Sequence, residues 1–478
     1  MKRKLINKER LFIIIVFFLS SICLSLLFQE SSYKSLFLFL TILIWGVSIF
    51  YTRSISFSSF LYILFVLPFN VTLQLPHSVH ILGTEILLSS PFVAGIYVNY
   101  LVPTVSILDV GVSLFLSSVI VEKGIYVYWR LLKNWKNGVL IFFIILIAQA
   151  LMLSSFLSLF NSIRLFLYIL FVITIVVEFK KKFSPKTYSS VLLIFLSNTI
   201  IQGVISMIQF TRGSSLGMNF IGESQVVTGM QGSSFLELGG QLFLRGYGTF
   251  PHPNLLAGYL LLCILVGILF FERQKILSTI LIIFSFIVLL FTFSRVSILL
   301  AGIFFLAIFM KKIISKKYIL SSFIPSLLFE RFMNLLNNGD SGLNDRILLL
   351  KKSFEIFKDN WFLGVGIGNF VKSMEKLIPR TARGIPLLQP VHNIFILAIS
   401  ELGSIGFLSM VYVFFYLCIS SIKRWNLIKS LVVLYVLIIG SFDHYLFSLP
   451  QGLMIFSLLL IILCLDHLDD DKEDVEEN

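Results

Sequence analysis

Along this chain, long apolar runs alternate with short polar breaks, and the runs show neither the two-residue alternation of membrane strands nor the shortness of buried ones. They lie at roughly 11–28, 36–51, 57–74, 104–121, 139–157, 161–177, 188–210, 255–271, 276–293, 296–310, 313–329, 392–419, 430–447 and 449–464. The pattern predicts an all-α integral membrane protein with about 12–14 transmembrane helices. One run is short: Tyr318 to Phe329 reaches crossing length only if it starts at Ile313, with Lys316 and Lys317 snorkelling back to the interface. Removing that span would invert the side on which everything downstream lies. The run 11–28 follows a basic head but no small-residue cleavage site follows it, so it reads as a retained span.

The polar breaks supply orientation. With the N-terminus inside, cytoplasmic segments take 24 of the 38 Lys and Arg residues, as expected where positive charge is held inside. Both termini are then cytoplasmic, including the acidic tail 466–478, and the largest polar segments, 211–254 and 330–391, face outward with a smaller one near 75–103. Within the second, Asn344 to Lys358 shows helical spacing through Ile347, Leu350, Phe354 and Phe357, which predicts a surface helix over the site. Gly364-Val-Gly-Ile-Gly368 breaks that pattern. It neither follows a strand nor faces the nucleotide-containing compartment, so a dinucleotide loop is rejected, although a turn offering backbone N–H groups to a phosphate stays open.

Composition closes off other classes. A chain that is 57% hydrophobic, 13% charged and carries 50 phenylalanines, with a mean hydropathy of +0.94, is not a soluble globule. The net charge of +13 is spread over short clusters between spans and gives no face for nucleic acid. Cys23, Cys263, Cys418 and Cys464 lack paired spacing, which argues against disulfides and zinc, and His77 with His80 lacks a third metal ligand nearby.

Three segments place polar chemistry at outward span ends. Arg245-Gly-Tyr-Gly-Thr-Phe-Pro-His-Pro-Asn254 ends where the run at 255 begins, Phe293-Ser-Arg295 closes another run, and His392-Asn393 opens a third. The plain reading of Arg245 is an arginine snorkelling to headgroups. Arg295 is more telling, because almost no loop surrounds it on the side where positive charge is disfavoured. His392 has the chemistry of a general base; its plain alternative is a locally bonded interfacial histidine. His252 reads as part of a rigid turn with Asn254 as the helix N-cap. Asp443-His444-Tyr445 reads as an interfacial cap that could join the site.

Those segments, in this order and with Asn360-Trp-Phe-Leu-Gly-Val-Gly-Ile-Gly-Asn-Phe370 and Glu401-Leu-Gly-Ser-Ile-Gly406, resemble the O-antigen ligase and polymerase superfamily over about 240–410. The resemblance divides the chain into transmembrane helices at 1–210, a ligase-like core at 211–410 with both large loops, further transmembrane helices at 411–465 and the tail. It implies a GT-C-like, multi-pass enzyme of the bacterial cytoplasmic membrane with an outward-facing site. The implied reaction transfers a glycan from undecaprenyl pyrophosphate to an acceptor hydroxyl on a glycan, lipid or protein, inverting, with no metal or cofactor. It places the pyrophosphate on Arg245 and Arg295 and acceptor activation on His392, with Arg346, Arg380 and Arg383 as secondary cations. Ligation, polymerisation and transfer to protein share these motifs. A polysaccharide or lipid-linked oligosaccharide transporter is the competing class, but it should show repeated halves or helices broken at mid-membrane.

Overall fold

The computed structural model describes residues 32–81, 84–87, 90–133, 138–178, 185–230, 232–238, 241–313, 341–375, 378–380, 384–422 and 425–464. The expected spans at 11–28 and 313–329 and the tail lie outside them, apart from Ile313. The other twelve apolar runs each form a helix: α1 (Ser32–Thr52), α2 (Ile55–Val66), α3 (Ile107–Lys123), α5 (Val139–Met152), α6 (Phe156–Glu178), α7 (Pro185–Arg212), α8 (Pro253–Phe270), α9 (Lys275–Phe291), α10 (Arg295–Ile313), α13 (Ile394–Ile422), α14 (Leu427–Phe442) and α16 (Pro450–Cys464). Five of them, α1, α6, α7, α8 and α13, are long and apolar enough to cross a membrane alone. The protein is an all-α, multi-pass membrane protein.

α8 is apolar on every side because it has no outward face: from Leu255 to Leu265 every residue is buried, and α7, α9, α10, α14 and α16 surround it. At Gly124, with φ +82°, the chain turns by 107° from α3 into α4 (Tyr126–Lys133), whose Tyr126 and Trp129 stay exposed at one end of the bundle. An amphipathic helix with exposed aromatic rings suits a membrane interface.

The other end carries the loops. They are tied by four two-stranded antiparallel pairs, β1 (Thr72–Gln74) with β6 (Thr104–Ser106), β2 (Ser78–Ile81) with β3 (Thr84–Leu87), β4 (Phe92–Val93) with β5 (Ile96–Tyr97), and β7 (Phe235–Leu238) with β8 (Gln241–Leu244). The expected surface helix is present as α11 (Ser341–Asp359), followed by the single turn α12 (Phe370–Ser373). Its docking face differs from the expected one. Leu349, Ser353 and Ile356 are buried against α13, whereas Ile347 and Phe354 are exposed. α11 carries two apolar stripes, and helical periodicity alone does not say which of two stripes packs inward.

α13 is broken at Gly403, where φ is +64°. A β-carbon there would strike the backbone of Leu363 and Gly364. The break frees backbone groups that must be satisfied in a span, and residues 361–366 satisfy them. Val365 N donates to Ser400 O at 3.1 Å, Gly366 N to Glu401 O at 2.8 Å, and Ser404 N to Trp361 O at 2.8 Å. Gln149 Nε2 adds a bond to Glu401 O at 2.7 Å.

Candidate functional site

Arg245 stands at the exit of the β7–β8 hairpin, on a backbone held from below by α7. Gln209 Oε1 accepts from Tyr247 N at 3.0 Å and from Gly248 N at 2.9 Å, while its Nε2 donates to Gly248 O at 3.0 Å. One side chain therefore satisfies a stretch of backbone that joins no helix or strand. Seven residues earlier, on the same helix face, Gln202 Oε1 accepts from Thr249 N at 2.8 Å. Gly248, at φ +61°, lies so close to the Gln202 amide that a β-carbon would collide with it. Buried Glu223 braces Gln209 from behind at 2.8 Å and accepts Leu216 N and Met218 N, each at 2.7 Å.

So placed, the guanidinium reaches two partners. Its Nε donates to Thr292 O at 2.7 Å, at the carbonyl end of α9, where the helix dipole favours a cation. Its Nη2 donates to Asn254 Oδ1 at 2.8 Å. Burial pushes the Arg245 guanidinium down to about 10; Tyr247 and Asp443 oppose the fall, and the like charges of Arg295 and Arg346 add to it. It remains a cation at neutral pH. Arg295, at the start of α10, is exposed, and Arg346 on α11 is half-buried. Arg295 and Arg346, from two other segments of the chain, are thus near enough to act on Arg245.

The turn before α8 is built differently from expectation. His252 is itself the N-cap: its Nδ1 accepts Asn254 N at 3.1 Å. That bond leaves the proton on Nε2, which meets Ser234 Oγ at 3.0 Å. Burial pushes His252 down to about 3, with Asp443 opposing, so the ring is neutral. Asn254 is not the cap. Its side chain is free to bridge, and Nδ2 donates to Asp443 Oδ2 at 2.9 Å while Oδ1 holds Arg245.

Asp443, at the C-cap of α14, links this cluster to His392. Its Oδ1 accepts the His444 backbone N–H at 2.8 Å and lies 3.8 Å from His392 Nδ1, a distance too long for a hydrogen bond. His392 Nδ1 is buried without a hydrogen-bond partner among the described residues. Burial alone would raise the Asp443 carboxyl, but the three imidazoles around it, led by His392, hold it well below the usual carboxylate range. His444 is pushed down to about 4 by burial against the opposing field of Asp443; its Nδ1 meets Ser448 Oγ at 2.6 Å. Its ring centre stands 5.3 Å from that of His392 and 6.0 Å from that of Tyr100. Asn393 caps α13: its Oδ1 accepts Phe395 N and Ile396 N, both at 3.0 Å.

The structure therefore gathers Arg245, Asn254, Asp443 and His392 into a contiguous group, with Arg295 and Arg346 in range. Arg380 is exposed and donates to Gly384 O at 2.9 Å, tying its own turn. Arg383 lies outside the described residues. The phosphate cradle left open at Gly364 to Gly368 is not available, because the N–H groups of Gly364, Val365 and Gly366 are given to Asn360, Ser400 and Glu401 carbonyls. Gly364 and Gly366 form a buttress for α13. Asp443 joins the site and is more than an interfacial cap. Asn254, Gln202 and Gln209 were not singled out for these roles, although two glutamines seven residues apart within an apolar run are a readable sign of one polar helix face.

Donor atoms of His392, Asp443 and His444 all lie within 4.8 Å of one another and could hold a metal ion. Arg245, bonded to the same Asn254 amide as Asp443, weighs against a further cation there. The group is better suited to holding an anion beside a base.

Residues 255–411 match the protein-family model described as O-Antigen ligase. The match takes in Arg295, Arg346, Arg380 and His392, and leaves out Arg245, ahead of its start, and Asp443, well beyond its end. A search of curated proteins finds no match.

Proposed function

With residues 255–411 matching the O-antigen ligase family model, we propose that this membrane protein acts as a ligase-like or polymerase-like enzyme in polysaccharide assembly and transfers a glycan from undecaprenyl pyrophosphate to an acceptor hydroxyl. Transfer takes place at the outer face of the bacterial cytoplasmic membrane. The observation that carries this reading is the continuous link from a half-buried arginine, through Asn254 and Asp443, to an imidazole nitrogen without a hydrogen-bond partner among the described residues.

In this reaction the acceptor oxygen attacks the anomeric carbon on the face opposite the pyrophosphate and the bond from that carbon to the pyrophosphate oxygen breaks. The bonding pair leaves with the phosphate, inverting the centre. Arg245, assisted by Arg295 and Arg346, meets the charge that builds on the departing group; a preorganised donor of this kind contributes about 3 to 4 kcal/mol. The acceptor proton passes to His392 through Nε2. As the ring becomes cationic, its Nδ1–H closes the 3.8 Å gap to Asp443, which stabilises the imidazolium. No step requires a metal.

The test uses purified protein, a polyprenyl-pyrophosphate-linked glycan and a chelator. His392→Ala should bind the donor as the parent does while transfer falls at least about a hundredfold. If binding and transfer fall together, His392 positions the donor; if transfer is undiminished, the assignment is wrong. Donor carried unchanged between leaflets, with no new glycoside, would identify a transporter.

A further inference from the structure

The outward segment 90–102 has two apolar faces, and only one of them is covered. β4 and β5 close on the two-residue turn Ala94–Gly95, whose φ values of +47° and +79° are both left-handed, as the tightest hairpin turns require. A left-handed alanine is strained and persists where its surroundings hold it. Here the hold comes from Val93, Val98 and Leu101, which are buried in a second core with Leu349 of α11, Phe370 of α12 and Leu397 of α13. The opposite face is bare: Phe92, Ile96, Tyr97 and Tyr100 are 40% to 51% exposed. The rings of Phe92 and Tyr97, partners across the two strands, meet edge to face at 5.6 Å.

A contiguous apolar patch on an outward loop marks a binding surface, and its chemistry narrows the occupant. From Ile86 to Leu108 the chain carries no Lys, Arg, Asp or Glu, so the face offers no counter-charge to an ionic headgroup or a charged peptide. Asn99, exposed between Tyr97 and Tyr100, adds an amide that can donate and accept hydrogen bonds. Electron-rich ring faces beside an amide suit a sugar ring, which sets its C–H groups against the aromatic face and its hydroxyls at the rim.

Position points the same way. The Tyr100 ring stands 6.0 Å from that of His444, which is 5.3 Å from that of His392. Arg245 joins the same cluster at its other end, through Asn254 and Asp443. The row of rings therefore leaves the site from the imidazoles, where the acceptor enters, and not from the arginine that meets the pyrophosphate. Tyr97 and Tyr100 are three residues apart, at most about 11 Å along the chain, within reach of neighbouring units of one saccharide.

We propose that Tyr100, Tyr97 and Phe92 form a track for the acceptor, and that the acceptor is a saccharide chain whose rings stack on these side chains while its reacting hydroxyl lies at His392. This rests on the transferase reading above. The arginines then select the donor, and the hairpin selects the acceptor.

The test exchanges the ring at Tyr97 for an aliphatic side chain and for another ring. Tyr97→Leu and Tyr97→Trp are compared with the parent at matched, monodisperse protein. Acceptor is supplied as a detergent extract of the envelope of cells lacking this protein, and as the water-soluble saccharides that mild alkali releases from it. Tyr97→Leu should raise the extract concentration needed for half-maximal transfer about fivefold or more, with the limiting rate and the KM for donor within about twofold of the parent's. Saturation-transfer NMR from protein to the ring protons of the released saccharides, measured without donor, should be lost with it. Tyr97→Trp should stay within about twofold of the parent in both readouts. Periodate treatment of the extract should abolish acceptance and protease treatment should not. Parent-like behaviour of Tyr97→Leu, as an aliphatic contact with lipid would give, overturns the proposal. So does an equal rise in the KM for donor, or acceptance lost to protease and spared by periodate. If the parent forms no glycoside while the saccharides receive saturation from it and not from Tyr97→Leu, the transferase reading fails and the track stands; with neither signal, both fail.

Discussion

At the end of the bundle away from the site, one carboxylate serves several donors: Glu178 takes both Lys123 and Arg130, and Glu122 caps the start of α2 by accepting Ser54 Oγ at 3.1 Å and Ser56 N at 3.2 Å. Arg273 rests 4.5 Å above the Tyr188 ring. At the site end positive charge exceeds negative by more. Arg295 and Arg346 add their field to Arg245, and the nearby carboxylate, Asp443, is shared with three imidazoles. Charges at the first end are arranged to satisfy one another. Those at the second leave a surplus of positive field, which folding alone does not call for, and a half-buried cation beside like charges is expected where an anion binds.

The sharpest way to break this contrast is Arg245→Lys. If the guanidinium only completes the local structure, lysine should serve; if its planar fork receives the pyrophosphate, transfer should fall about a hundredfold at matched protein amounts. Donor titration with phosphorus spectroscopy would show whether the head group still docks. Normal transfer by this variant would remove the difference between the two ends.

A middle-sized effect should come from acid. His252 and His444 are held neutral in the folded protein, at about 3 and about 4, whereas an unfolded histidine protonates near 6.5. Between those limits the unfolded chain binds the extra protons, so stability falls as pH drops from about 6.5 towards 4, each histidine contributing up to about 1.4 kcal/mol per pH unit. Below about 4 the His444 contribution flattens. Thermal inactivation in detergent should follow this slope. His252→Asn, which keeps a capping side chain, should make it shallower; an unchanged slope would mean that the buried ring does not govern it.

The smallest effect belongs to the other end. Glu178→Gln removes one carboxylate from two cations, but Arg130 is more than half exposed, and exposed pairs are worth about 0 to 1 kcal/mol. Stability should change by no more than that and transfer by less than about twofold. A large loss of transfer would couple the two ends and undo their separation.

Much of this was legible in the chain because lipid imposes simple rules. Apolar runs beginning at 255 and 392 located α8, which starts at Pro253, and α13, which starts at Ile394, and polar residues at span ends marked Arg245, Arg295 and His392. What joins them was harder to read. Asp443 lies 51 residues beyond His392, and only the packing of α14 beside α13 brings the two together. His252, expected only as part of the turn, takes the capping role expected of Asn254 because each can cap a helix, and Asn254 is engaged by Arg245 and Asp443 instead. The break at Gly403 lies inside the single span expected at 392–419, although Ser400, Glu401 and Ser404 stand beside it. Its partner strand of backbone, 361–366, is adjacent in space and forty residues away in sequence.

The Asn254 side chain keeps two opposite charges apart. An amide presents an oxygen at one end and N–H groups at the other, so it can stand between Arg245 and Asp443 and satisfy both without carrying charge itself. It works as an insulating spacer. Were the two ions in direct contact, each would neutralise the other and neither would have a field to offer an incoming head group. Held apart by one neutral side chain, the arginine keeps its attraction for anions and the aspartate its attraction for an imidazolium, and the resting protein keeps two opposite reactivities in one small space.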